Sequence, residues 1–183
     1  DLALAHVTLD KSTWDYKHNI AFWLWELEEF PDDWERCFAF VDEIWTPSEF
    51  ASSSIRKKTN LPVFTMEYPI SAPIDEKYDR NFFNLPSDKF LFLCMYDSNS
   101  TMERKNPMAA IEAFKLAFSK DDNNVGLVIK VNNPQSEDIQ KIKELLKGYS
   151  NIYIIPKVMT KLEVNSLIKN ADVFVSLHRA EGF

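Results

Sequence analysis

The sequence predicts an α/β fold in which parallel sheets are flanked by helices, divided between two part-domains. Two observations lead there. The second half alternates short apolar runs with helical segments in the order β-α-β-α-β-α-β. Its strand candidates are apolar almost throughout rather than alternating, the pattern of strands covered on both faces. Together they describe a sheet of doubly wound type.

In the first half, "NIAFWLW" (19–25), "DEIWTP" (42–47) and "LPVFTM" (61–66) read as strands. "DDWERCFAFV" (32–41) and "SEFASSSIRKK" (48–58) read as the helices between them, the second capped by Ser48. "EYPISAPIDEKYDRNFFNLPSD" (67–88) carries prolines and no clear period, so it reads as a linker or crossover. The expected organisation is one part-domain over 1–75 and a second over 76–183.

The second part-domain opens with "KFLFLCMY" (89–96), a run of strand length. "NPMAAIEAFKLAF" (106–118) places Met108, Ile111, Phe114 and Phe118 on one helical face, with Asn106 as N-cap and Pro107 at the first helical position. "VGLVIKV" (125–131) is the next strand. "SEDIQKIKELLKG" (136–148) is a helix with Ser136 as N-cap and a glycine past its end. "NIYIIP" (151–156) is a strand closed by proline. Thr160 and Glu163 have capping-box spacing at the head of a helix over 160–170. "DVFVSL" (172–177) is the fourth strand. Sheets of three or four strands leave apolar edges uncovered. The chain also starts without Met. The expectation is an internal fragment: the end of one α/β domain and the beginning of another.

Composition narrows the function. The chain has 183 residues, 45% hydrophobic and 27% charged, with net charge −7. That acidity argues against a nucleic-acid partner, because phosphate backbones are bound by basic surfaces. No apolar run is long enough to span a bilayer. The two cysteines, Cys37 and Cys94, have neither metal-ligand nor redox spacing and read as reduced thiols. The three glycines, Gly126, Gly148 and Gly182, are too few and too scattered for a glycine-rich phosphate loop.

In open parallel sheets, ligands bind beyond the carboxyl ends of the strands. That rule singles out "DSNSTMERKNP" (97–107), "NNPQ" (132–135) and "HRAEGF" (178–183). Arg104 and Lys105 stand just before an expected helix N-terminus, where unpaired N–H groups and the dipole favour an anion. A diphosphate suits such a place. Glu181 can accept hydrogen bonds from sugar hydroxyls, and Gly182 lets backbone come close to a ligand. His178 and Glu181 lack further metal ligands nearby, so the expectation is no metal; His178 alone reads as a satisfied structural histidine. "WLWELEEFPDDW" (23–34) is dense in tryptophan and acid and reads mostly as core plus a solvated face. Trp25 and Glu26 stay as acceptor-side candidates at the end of an apolar strand.

"FLFLCMYDSNSTMERKNPMAAIEAFKLAF", "VGLVIKVNN" and "DVFVSLHRAEGF" together resemble the C-terminal domain of retaining glycosyltransferases of family 4 (group 1), which have the GT-B fold. "FWLWELEEFPDDW" and "VDEIWTPSEFASSSIRK" resemble the last part of the N-terminal domain in the bacterial polysaccharide-synthesis branch. The resemblance implies parts of two Rossmann-like domains. It implies sugar transfer from a nucleotide-diphosphate-sugar donor to a glycan or lipid-linked acceptor. It also implies Lys105 on the donor diphosphate, with Arg104, His178, Gly182 and Phe183 on the donor side. Glu181 matches the first glutamate of an E-x7-E motif beside the donor sugar. No cofactor and no metal are implied, since the donor is a substrate. The expected location is the cytoplasm, with peripheral association at the inner face of the membrane. Two departures stand out: "CMYDSN" replaces the Gly-Arg pair common after the first strand, and the chain ends before the second glutamate, which implies a fragment without activity of its own. The rival reading is a non-catalytic α/β domain that binds an anion or a partner.

Overall fold

The computed structural model describes residue 15 and residues 17–181. They form two compact units, one ending at Ile70 and joined by Ala180 and Glu181, the other running from Ser71 to Arg179.

The first unit holds three short parallel strands, β1 (Ile20–Phe22), β2 (Glu43–Thr46) and β3 (Val63–Thr65), in the order β1-β2-β3. Helix α1 (Glu49–Arg56) joins β2 to β3, and the Ser48 hydroxyl accepts from the Ala51 N–H as its cap. The expected helix near 32–41 is instead a 3-10 helix over Asp32–Phe40. Its N-cap is Pro31, whose side chain makes no cap bond, and it buries no residue of its own. Its contacts with the core come from half-buried Phe38, which packs on Trp23 and Phe30. Ala21, Phe30, Ile44, Ile55 and Val63 form the core.

The second unit is built on β4 (Phe90–Asp97), β5 (Val125–Asn132), β6 (Ile152–Pro156) and β7 (Val173–Phe174). All pair parallel, in the order β6-β5-β4-β7. Its helices are α2 (Met102–Lys105), α3 (Pro107–Ala117), α4 (Ser136–Leu145) and α5 (Lys161–Asn170). The α5 capping box is present in both directions. Helix α4 starts from Gln135, so Ser136 is its first residue rather than its cap.

Side chains alternate across this sheet, as the strand period requires. Cys94, Tyr96, Leu127, Ile129 and Val131 face Ala110, Ile111 and Phe114 of α3 and Ile142 of α4. Leu91, Leu93, Val128 and Ile155 face Leu167 of α5 together with Phe83 and Leu85. The proline-bearing segment is thus more than a linker: from Ser71 onward it belongs to the second unit and helps cover one sheet face. Asn165 and Asn170 side chains donate to the carbonyls of Pro73 and Tyr78 at 2.9 and 2.8 Å, fixing it along α5. Strand β7 is shorter than expected, but the Asp172 and Val175 amides still donate to Leu91 and Leu93 of β4. Cys94 is 2% exposed, and burial pushes its thiol up to about 11, so it is no nucleophile.

Candidate functional site

The carboxyl ends of β4, β5 and β7 converge on one edge of the second sheet, because parallel strands all point the same way. Helix α2, a single turn capped by the Thr101 hydroxyl, was not expected from sequence. It puts Arg104 and Lys105 in a last helical turn, where cations are favoured rather than disfavoured. The charge argument for an anion at this point is correspondingly weaker, and the site rests on geometry. Asn106 follows in the left-handed region at φ 46°, turning the chain from α2 into α3. Pro107 then starts α3, as expected. The Asn106 side chain does not cap α3; its Nδ2 donates to the Leu177 carbonyl at 3.1 Å.

That bond is among those tying the loop after β7 to β4 and the loop that follows it. The Arg179 amide donates to the Arg104 carbonyl at 2.9 Å. His178 Nε2 lies 3.2 Å from the Met95 carbonyl. A carbonyl only accepts, so Nε2 is the donor in this contact. Arg104 Nε donates to the Ser100 hydroxyl at 3.1 Å. The structure thereby brings Arg104, Lys105 and His178 onto two joined loops, and adds Arg179. Asn106→Ala is expected to cost about 1–2 kcal/mol in urea unfolding, through the lost Leu177 bond and the strain of a left-handed alanine.

Glu181 is exposed and follows two positions after Arg179. Gly182 and Phe183 lie outside the described residues. In the first unit, β1 ends at Phe22, so Trp25 and Glu26 sit in the following loop rather than at a strand end. The Trp25 ring packs edge-on against Phe30 and Trp34, and its Nε1 donates to the Glu29 carbonyl at 2.8 Å. Glu26 is half-buried. Among the described residues, no group of three His, Cys, Asp or Glu could hold a metal ion. No helix among them is long and apolar enough to cross a membrane.

A polar network at the same sheet edge escaped the sequence reading. Asp97, the last residue of β4, accepts from Asn132 Nδ2 at 2.8 Å, Asn133 Nδ2 at 2.9 Å and the Asn99 amide at 2.9 Å. The Asn132 bond and the Asn99 amide, in that order, hold its carboxyl below the usual carboxylate range. Lys130 Nζ donates to Asn132 Oδ1 at 3.1 Å, so Asn132 bridges the lysine and the aspartate. Lys130 is 3% exposed, and desolvation pushes its ammonium below the usual lysine value. A cavity of about 370 Å³ opens here, lined by Met95, Tyr96, Asp97, Lys130, Asn132, Met159, Lys161 and Val164. The available signal was a lysine inside the apolar run "VGLVIKV", followed by two asparagines.

No protein-family model and no curated protein matches the chain. Solved structures do. A UDP-forming α,α-trehalose-phosphate synthase from Burkholderia xenovorans superposes with TM-score 0.63 at 12% identity, covering 100% of this chain and 52% of that one. An apo structure of OtsA gives TM-score 0.69 at 10% identity, with 100% and 51% coverage. TarM gives 0.63 at 15% identity, with 92% and 33% coverage. The fold is that of GT-B glycosyltransferases. The chain spans about half the length of the first two of these structures, and at these identities the likeness is one of fold.

Proposed function

We propose that the intact protein is a glycosyltransferase of the family 4 type. It moves a sugar from a nucleotide-diphosphate-sugar donor to a glycan or lipid-linked acceptor with retention, and works in the cytoplasm at the inner face of the membrane. The observation that carries this reading is the joining of the loops after β4 and β7, which gathers Arg104, Lys105, His178 and Arg179 at the carboxyl edge of a GT-B sheet. Preorganised cations there stabilise the negative charge that develops on a leaving diphosphate, without a metal. Lys105 and Arg104 hold the diphosphate, Glu181 orients the donor sugar, and Gly182 and Phe183 complete the donor side. Trp25 and Glu26 stand on the acceptor side.

Titrating the intact protein with UDP-, GDP- and ADP-sugars tests this reading. Saturable binding of one donor class supports it, and no binding across the panel overturns it. Glu181→Ala is expected to lower kcat several-fold while the Kd for the nucleoside diphosphate alone stays put. A second reading, a non-catalytic anion- or partner-binding domain, draws on Asp97, a carboxylate at the start of the very loop that should meet an anion. Binding without turnover would favour it.

A further inference from the structure

Lys130 is costly where it stands. A buried ammonium loses hydration, and a neutral residue of similar size would pack at that point without the penalty. Charge attraction to Asp97 offsets part of that cost. Both Asp97 oxygens already have donors: Oδ1 from the Asn99 amide at 2.9 Å and Asn133 at 3.1 Å, Oδ2 from Asn132 at 2.8 Å and Asn133 at 2.9 Å. The hydrogen bond from Lys130 goes to an amide oxygen instead. An ammonium has three donor hydrogens, and this bond uses one.

The surroundings are those of a ligand site. Lys130 pairs in register with Met95 of the neighbouring strand, and both line the cavity at the carboxyl edge. Met95, Met159 and Val164 supply apolar wall; Asp97, Lys130, Asn132 and Lys161 supply a few polar groups. Its volume, about 370 Å³, suits part of a small ligand, and apolar walls with sparse polar groups are usual for such sites. Lys130 and Lys161 line the cavity together with one carboxylate, Asp97, so cationic side chains there outnumber anionic ones.

We propose that Lys130 is a ligand-contacting residue whose ammonium, held in place by Asn132, donates to an oxygen acceptor of a nucleoside diphosphate bound in this cavity. This rests on the nucleotide-sugar reading above. Phosphate oxygens and a base carbonyl share that chemistry, and the test separates them.

Wild type, Lys130→Met and Lys130→Arg forms of the intact protein would be titrated with UDP, GDP, uridine, guanosine and inorganic pyrophosphate, with thermal melting of each form in parallel. The expected result is a loss of tenfold or more in affinity for the preferred nucleoside diphosphate in Lys130→Met. Partial retention is expected in Lys130→Arg, with a melting temperature close to wild type in both. A parallel loss for pyrophosphate assigns the contact to phosphate; a parallel loss for the nucleoside assigns it to the base. Unchanged nucleotide affinity in a folded Lys130→Met protein overturns the proposal and leaves the glycosyltransferase reading standing. Wild type that binds none of the five probes, and neither ADP nor adenosine, overturns both. If Lys130→Met does not melt cooperatively, Lys130→Gln is read in the same way.

Discussion

Replacing Lys105 by alanine in the intact protein is expected to weaken donor binding by about 10- to 100-fold, the size of a lost hydrogen bond to a charged group. Lys105 closes α2 and immediately precedes the left-handed Asn106, so the backbone around it is fixed by the Asn106 amide on the Met102 carbonyl and by the Asn106 side chain on Leu177. A cation on so defined a turn keeps its ordering cost small on binding. Its half-exposed side chain lies outside both cores of the unit, so folding stability should move by less than about 0.5 kcal/mol. Lys105→Arg should recover part of the affinity, since charge survives while geometry changes. Calorimetric titration with the preferred donor checks both. An affinity unchanged in Lys105→Ala would remove the diphosphate from this loop.

Replacing Arg80 by alanine is expected to destabilise the second unit by about 3 kcal/mol. The Arg80 guanidinium donates to the Lys89 carbonyl at 2.7 Å, the Asn170 carbonyl at 2.9 Å and Asp172 Oδ2 at 2.8 Å. It thereby clasps the 71–88 segment, the end of α5 and the start of β7. The same Asp172 oxygen accepts from the Leu91 amide at 2.7 Å, where β4 begins. Truncation would strand two partly buried carbonyls and leave a carboxylate without its counter-charge. Adding Asp172→Asn should cost less than the sum of the single changes, because the two share one network. The pH dependence has a definite sign. The Leu91 amide first, and Arg80 after it, hold the Asp172 carboxyl below its ordinary 3.8. A depressed carboxyl stabilises the fold above that value and loses the contribution as pH falls through the folded pKa. Wild type should therefore lose stability below about pH 4 more steeply than Arg80→Ala does, as urea unfolding at pH 7 and pH 3 would show.

The second unit was legible because its local signals agree with its packing. Apolar runs of strand length, Pro107 at a first helical position and the Thr160–Glu163 box each act within a few residues, and sequence carries them directly. Errors came where tertiary contacts decide. Asn106 is a plausible cap by type, yet its positive φ turns its side chain toward Leu177, 71 residues away. Helix α2 is one turn long, too short for a hydrophobic period to show. The segment before β4 looks like a linker in composition, but Phe83 and Leu85, each 6% exposed, are needed to cover the sheet. Of the site, the loops after β4 and β7 follow from the rule for parallel sheets, whereas the Asp97–Asn132–Lys130 network depends on the register of β4 against β5. Its one local trace is the lysine inside the apolar run of β5, followed by two asparagines.

The most direct test of the central claim is the release of nucleoside diphosphate when the intact protein is incubated with UDP-, GDP- and ADP-sugars. A glycosyltransferase site at the carboxyl edge of the second sheet predicts catalytic release from one donor class, slowed in Lys105→Ala and in Glu181→Ala. A folded intact protein that binds these nucleotides yet releases nothing from any donor, with or without glycan and lipid-linked acceptors, would contradict the account and leave a binding domain in its place.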